Sequence, residues 1–316
     1  MVGSERSVGS LVAALRRNTR TTVNFHPDRL DRNGRTVAEG LLATGAYLPQ
    51  QETGISNGMR FAFPGGARTT WEAAMFGDAY AAGSGPTPIY GVLDLTLDPH
   101  GGSPRFGSCF VELAPHVFDR ATFCFGDSHV GPTDVGTVEQ LGGVLAALFE
   151  QAAEGHGLSR GLDVDTLLAS IDGRWQAPTP ARELDGYVEA QIHGGVSLQD
   201  DVDAIVLDPS FEATDVHHQL SEAAATFGFE LRWHGGSELR ASDVSPDVRG
   251  PTMPALAIQA ARADGKLDAA ALGRHARTIT HTLPSPDGDP PDSDLQQIKY
   301  LWHCLVLLGA DAALSS

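Results

Sequence analysis

Proline at position 27 sets a hard boundary in this chain. It offers no amide hydrogen to a sheet ladder, so the run Thr21-Thr22-Val23-Asn24-Phe25 must end its strand there. That β-branched and aromatic run predicts a strand, and its end delivers His26, Asp28 and Arg29 together. Ordinary core strands do not finish on three ionisable side chains. A site that binds an anion and handles a proton or a developing cation uses them. A second strand is predicted around Gly186-Tyr187-Val188-Glu189-Ala190-Gln191-Ile192-His193-Gly194. Period-2 alternation puts Val188, Ala190 and Ile192 on one face and Glu189, Gln191 and His193 on the other. Two strands with ionisable faces imply one cleft.

The bulk of the chain narrows the class of partner. Its 316 residues suffice for one large domain or two small ones. Hydrophobic content of 41% and charged content of 20% are those of a water-soluble globular protein. Lys+Arg number 22 against Asp+Glu 40, a formal net charge of -18. That balance argues against nucleic acid and against an anionic membrane surface. It suits a basic protein partner, or serves solubility alone. Cys109, Cys124 and Cys304 have no paired spacing, which argues against disulfides or a cysteine zinc site. The apolar run Val12-Ala13-Ala14-Leu15 is too short for a signal peptide or a membrane span. The expected location is the cytoplasm, or outside the cell by a leaderless secretion route.

Apolar spacing predicts helices at residues 7–18, 37–45, 68–82, 137–153, 164–170 and 216–226, with Gly45 capping the second. Strands are expected at 88–97, 106–113, 120–125, 204–207 and 229–233. Residues 50–66 read as a Gly-, Asn- and Ser-rich loop. Helices around 255–263, 268–281 and 295–308 follow, divided by a Pro-rich linker at 284–291. The expected organisation is a mixed α+β unit over 1–235 with a helical region over 236–316.

Several side chains are candidates for chemistry. A strand-borne Glu189 suits binding of a ribose hydroxyl, stabilisation of an oxocarbenium-like charge and acceptance of a proton. Its plain alternative is a solvated glutamate on an outward face. His26 and Asp28 form an H-x-D pair, which on a strand shares one face and occurs in two-histidine-one-carboxylate iron sites. That iron reading needs a distal His followed by a basic residue, and His193 is followed by Gly194-Gly195. The plain alternatives are a helix-entry cap at Asp28 and a core histidine at His26. Arg60 and Arg68 flank Phe61-Ala62-Phe63-Pro64-Gly65-Gly66, a loop suited to an aromatic ligand bearing phosphates. Trp71, Glu72, Phe76 and Tyr80 follow helical spacing and equally suit a core. Arg105-Phe106-Gly107-Ser108 opens a strand with a glycine that permits close backbone approach. Asp127 ends a strand as a second carboxylate or a turn cap. His217-His218 with Asp215 resembles a metal set only superficially, since adjacent helical histidines diverge. P-loop and Rossmann signatures are lacking.

The order of these motifs resembles that of ADP-ribosyltransferases. More closely, Asn24-Phe25-His26-Pro27-Asp28-Arg29, Gly54-Ile55-Ser56-Asn57-Gly58, Trp71-Glu72, Gly77-Asp78-Ala79-Tyr80, Arg105-Phe106-Gly107-Ser108 and Glu189-x-Gln191-x-His193-Gly194 resemble the CteC-like ADP-ribosyltransferases, over roughly residues 21–235. The resemblance implies a split mixed sheet like that of poly(ADP-ribose) polymerase catalytic domains, followed by a C-terminal helical appendix. It also implies NAD+ as co-substrate, no metal, and a protein acceptor, which in the CteC example is a threonine of ubiquitin. The family's Asp–Glu catalytic pair maps its Glu onto Glu189 and leaves Asp28, Asp78 and Asp127 open for the Asp. His26, Arg29, Asn57, Gly58, Arg60, Arg68, Trp71, Tyr80, Gly107, Ser108 and Gln191 are the expected NAD+ contacts. The rival expectations are an Fe(II)-dependent oxygenase using His26 and Asp28, and a non-catalytic binding module.

Overall fold

The computed structural model describes residues 7–55, 67–80, 86–154, 162–279 and 294–312. Asn57, Gly58, Arg60 and the linker at 284–291 lie outside them, as does the Asp78 side chain. The strands are β1 (Arg20–Phe25), β2 (Ala46–Tyr47), β3 (Ile89–Asp94), β4 (Cys109–Leu113), β5 (Ala121–Phe125), β6 (Val135–Thr137), β7 (Val188–Ile192), β8 (Val196–Ser197), β9 (Val202–Leu207), β10 (Glu230–Trp233), β11 (Leu239–Arg240) and β12 (Lys266–Leu267). Eight of them make one sheet in the order β10-β9-β4-β1-β3-β7-β5-β6. Only β9 and β10 run parallel; the other neighbours are antiparallel. The expected split is not seen among the described residues, because β3 pairs with β1 on one side and β7 on the other.

Cross-strand partners share a face, so the register builds the site. Thr22 lies opposite Val92, Val92 opposite Glu189, and Glu189 opposite Cys124. Two residues along β7, Tyr90 faces Gln191, which faces Thr122. This face is polar yet covered: Thr22, Asn24, Glu189 and Gln191 are all buried. The opposite face carries Val23, Leu93, Val188, Ala190 and Phe123 into the hydrophobic clusters.

β1 ends at Phe25, opposite Cys109, one residue before His26. Pro27 then turns the chain, with the Arg29 N–H reaching the His26 carbonyl at 3.4 Å. The alternation argument therefore stops short of His26 and Asp28, and the two side chains diverge. Asp28 is buried against Gly273 in the helix Ala269–Arg277.

Helix Val37–Thr44 closes at Gly45 as the sequence predicts, in the left-handed region at φ 64°, and Thr36 and Glu39 add a reciprocal cap at its start. Helix Ala67–Phe76 passes into a 3-10 turn, Gly77–Tyr80. The helix expected from 137 starts at Gly142, because residues before it are used by β6 and a 3-10 turn, Val138–Gln140.

Beyond residue 235 come helices Met253–Ala260, Ala269–Arg277 and Asp294–Leu308. Met253, Leu272, Leu301 and Leu305 share one hydrophobic cluster with Val23, Val111 and Ile205 of the sheet. Position 235 marks a change of secondary structure, with the core running on through it. No helix among the described residues is long and apolar enough to cross a membrane.

Gly107 is needed for packing. A β-carbon there would fall well inside van der Waals contact with the Phe25 backbone. The close approach expected at this glycine is thus to β1. Gly107→Ala should lower the unfolding free energy by about 3 kcal/mol, read by urea denaturation; a change under about 0.5 kcal/mol would contradict this packing.

Candidate functional site

A cavity of about 500 Å³ opens where β1 and the middle of β3 and β7 meet the helix Asp294–Leu308. Its size is that of small-molecule sites. His26, Arg29, Arg68, Trp71, Asp127 and Glu189, six of the side chains the sequence singles out, line it together.

Glu189 stands on β7 between two bonded neighbours and is 5% exposed. Gln191 Nε2 donates to its Oε1 at 2.8 Å, and the Ser128 backbone N–H to its Oε2 at 3.3 Å. Burial pushes its pKa up to about 7; nearby Asp127 adds to the rise, while hydrogen bonding from Ser128 and Gln191 limits it. Gln191 does not line the cavity. It is fully buried and holds Glu189 in place, its own Oε1 accepting from Thr122 Oγ1 at 2.8 Å.

Asp127 follows Gly126, which turns the chain off β5 at φ 80°. It caps the turn Ser128–Val130 by accepting from the His129 N–H at 3.2 Å. His129 Nδ1 also lies 2.6 Å from Asp127 Oδ1. Burial works to raise the Asp127 pKa, but these contacts with His129 outweigh it and hold the pKa below the usual range. One cavity thus carries a carboxyl group poised near neutrality and a second held ionised. Environments that drive the pKa values of neighbouring acids apart in this way assign them different roles.

The His26 ring packs edge-on to Trp302 with centroids 4.9 Å apart. Burial, then the positive charge of Arg29, then His303 keep it neutral by lowering its pKa far below the ordinary value. It offers a hydrogen bond without a charge. Across the cavity, Arg68 bonds Glu72 at 3.0 Å, also contacts Gln50, and stacks over Tyr90 at 4.3 Å. Glu72 also accepts from Tyr90 at 2.9 Å and Gln51 at 3.0 Å. Arg68 is therefore neutralised within a wall that also presents Trp71.

Other expected contacts lie elsewhere. Tyr80 stacks on His193 and bonds its Nδ1. Ser108 is buried, and its carbonyl lies 2.7 Å from His234 Nε2. Neither lines the cavity, and neither Gly107 nor Asp28 does. With Asp28 turned toward Gly273, the H-x-D pair does not converge. Among the described residues no group of three or more His, Cys, Asp or Glu side chains is placed to share a metal ion.

Arg105, from the Arg105-Phe106-Gly107-Ser108 motif, lines the cavity as well, and so do Arg249, Gln296, Lys299 and His303, from segments with no sequence link to Glu189. A signal was present. Gln296, Lys299, Tyr300 and His303 follow i, i+3, i+4, i+7 spacing, a polar stripe on a helix otherwise buried at Ile298, Leu301, Trp302 and Leu305. Lys299 is one of only two lysines in the chain.

An eight-stranded mixed sheet whose polar face opens on an acid- and cation-lined cavity defines the class of protein. The chain belongs to the family described as Protein of unknown function (DUF3626), which matches residues 20–308 and so runs through both the sheet and the last helix. It is also similar to the Gene 2 protein of Mycobacterium phage L5, 30% identical over 141 residues. That stretch is 44% of this chain and 52% of the phage protein, so the chain spans about half the length of that curated relative.

A buried acid whose pKa is raised on folding disfavours the folded state progressively as pH climbs from about 4.5 to about 7, and has no such effect below. Glu189→Gln removes that penalty. The variant should gain on the wild type by about 2 to 3 kcal/mol more at pH 8 than at pH 5. Denaturant titrations at the two pH values check this; an equal difference at both would show that Glu189 does not titrate in this way.

Proposed function

We propose that the protein is a mono-ADP-ribosyltransferase that moves ADP-ribose from NAD+ to a protein side chain. The observation that carries the reading is Glu189 lining one cavity with His26 and Asp127. The motif order from Asn24 to His193 supports it independently of the coordinates. The cavity fits the class of donor: it presents Trp71 and Tyr90 for flat rings and an excess of arginine and lysine for phosphates.

NAD+ supplies a glycosidic bond whose breakage leaves positive charge on the ribose and releases nicotinamide with the bonding electrons. Glu189, once ionised, accepts a hydrogen bond from a ribose hydroxyl and faces that developing charge in a site shielded from water. Gln191 and the Ser128 amide keep its carboxylate from turning. Neutral His26 hydrogen-bonds the bound donor without adding repulsion. Asp127, ionised and braced by His129, is the second acid and takes the proton that the acceptor hydroxyl or amine loses on attack. The acidic chain surface suits a basic acceptor protein, and a ubiquitin threonine is the first acceptor to test.

Label transfer from radiolabelled NAD+, with ubiquitin and with cell lysate, is the decisive assay. Glu189→Gln should leave NAD+ affinity largely unchanged and cut transfer about 10²- to 10³-fold, the pattern of a contact made in the transition state. Undiminished transfer in that variant ends the assignment. No transfer and no nicotinamide release from the wild type favours a non-catalytic binding module.

The pH profile gives a separate check. Because Glu189 works ionised, kcat/KM should rise with pH through about 7 and then level. A profile falling across that range would contradict its role.

A further inference from the structure

The chain is strongly acidic, yet its cavity is not. Five arginines and one lysine line it against three carboxylates, Asp31, Asp127 and Glu189. Arg35 is matched by Asp31 and Arg68 by Glu72. Arg105 meets Asp185, whose side chain is largely in solvent and therefore screened. Arg249 and Lys299 enter no ion pair within 4 Å among the described residues, and Arg29 is opposed by the charge of the buried Asp28 without a close pair. Arg29 Nη1 and Arg105 Nε are buried with no hydrogen-bond partner among those residues.

We infer that Arg29, Arg105, Arg249 and Lys299 form a binding site for a polyanionic phosphate group, a pyrophosphate or a phosphate ester. Arg29 and Arg105 each hold a buried guanidinium nitrogen with no partner among the described residues, which is unfavourable unless a ligand supplies one, and Arg249 stands exposed at the rim. Arginine forks match phosphate oxygens two at a time. Arg249 stands in the left-handed region at φ 65°, beside Gly250, a conformation unfavourable for a residue with a side chain and common where a site imposes it. Lys299 is partly buried and faces the like charges of Arg105 and Arg249, with Asp127 opposed. Burial and those charges lower its pKa to about 8, and a bound anion relieves the crowding. His303, one helical turn on, is pushed down to about 2 by burial and the same cations and stays neutral. In placing the phosphates of a dinucleotide, the inference rests on the reading above, and it moves them from the Arg60–Arg68 loop to the C-terminal helix. The charge argument itself needs no transfer chemistry.

Calorimetric titration with inorganic pyrophosphate tests it on the full chain. The wild type should bind, more weakly as salt rises. Lys299→Gln and Arg249→Asn should each bind roughly tenfold more weakly or worse. Asparagine tolerates the left-handed backbone at 249, and this rim position keeps the test open should the Lys299 variant fail to fold. Glu189→Gln should bind pyrophosphate no more weakly than the wild type. Failure of the wild type to bind, or binding by the folded Arg249→Asn variant equal to wild type, overturns the site. Pyrophosphate binding in a protein that transfers no label keeps the site and removes only the catalytic reading.

Discussion

A carboxyl group in the middle of a sheet has little freedom. β7 is bonded on both sides, so the ladder fixes the face from which the Glu189 side chain projects. Burial of such a group is unfavourable by several kcal/mol unless nearby groups compensate. Here the compensation is incomplete: an amide from Gln191 and a backbone N–H from Ser128 steady the oxygens, while no cation pairs with them among the described residues. The result is an acid that changes charge near neutral pH. The rest of the polar face is arranged around it, from Tyr90 and Thr122 beside Gln191 to Asp127 at the turn after β5.

Charge is distributed unevenly at two scales. Over the whole chain acids outnumber bases nearly two to one, and in the cavity the ratio reverses. Surface acids are solvated and act weakly at a distance through salt. The arginines that line the cavity act at short range, so the cavity's sign and not the chain's bears on what can enter. The proposed small anion and the proposed basic partner are therefore compatible, since each would meet a different region of the molecule.

Local rules make much of this legible in the sequence. The cap at Thr36 and Glu39, the stop at Gly45, the strand cut short by Pro27 and the alternation around Glu189 all depend on neighbours within a few residues. Two failures share a cause. Alternation puts His26 and Asp28 on one face only if it continues past the last ladder pair, where the turn set by Pro27 takes over. Gly107 and Ser108 suit a ligand by their local pattern, although the nearest backbone to approach is β1, some eighty residues earlier. The cationic wall escapes local rules for a related reason: it comes from residues 105, 249 and 299, joined only by tertiary packing. The stripe on the helix is visible in the sequence, but its partner in space is not.

That last helix has a consequence for how the molecule is made. Ribosomes release a chain from its amino end, so β1 with His26 and β7 with Glu189 are exposed long before Lys299 and His303 are synthesised. Until those residues leave the exit tunnel, the core that Leu301 and Leu305 share with the sheet is unfinished, and the cavity lacks the wall that Gln296, Lys299 and His303 bring to it.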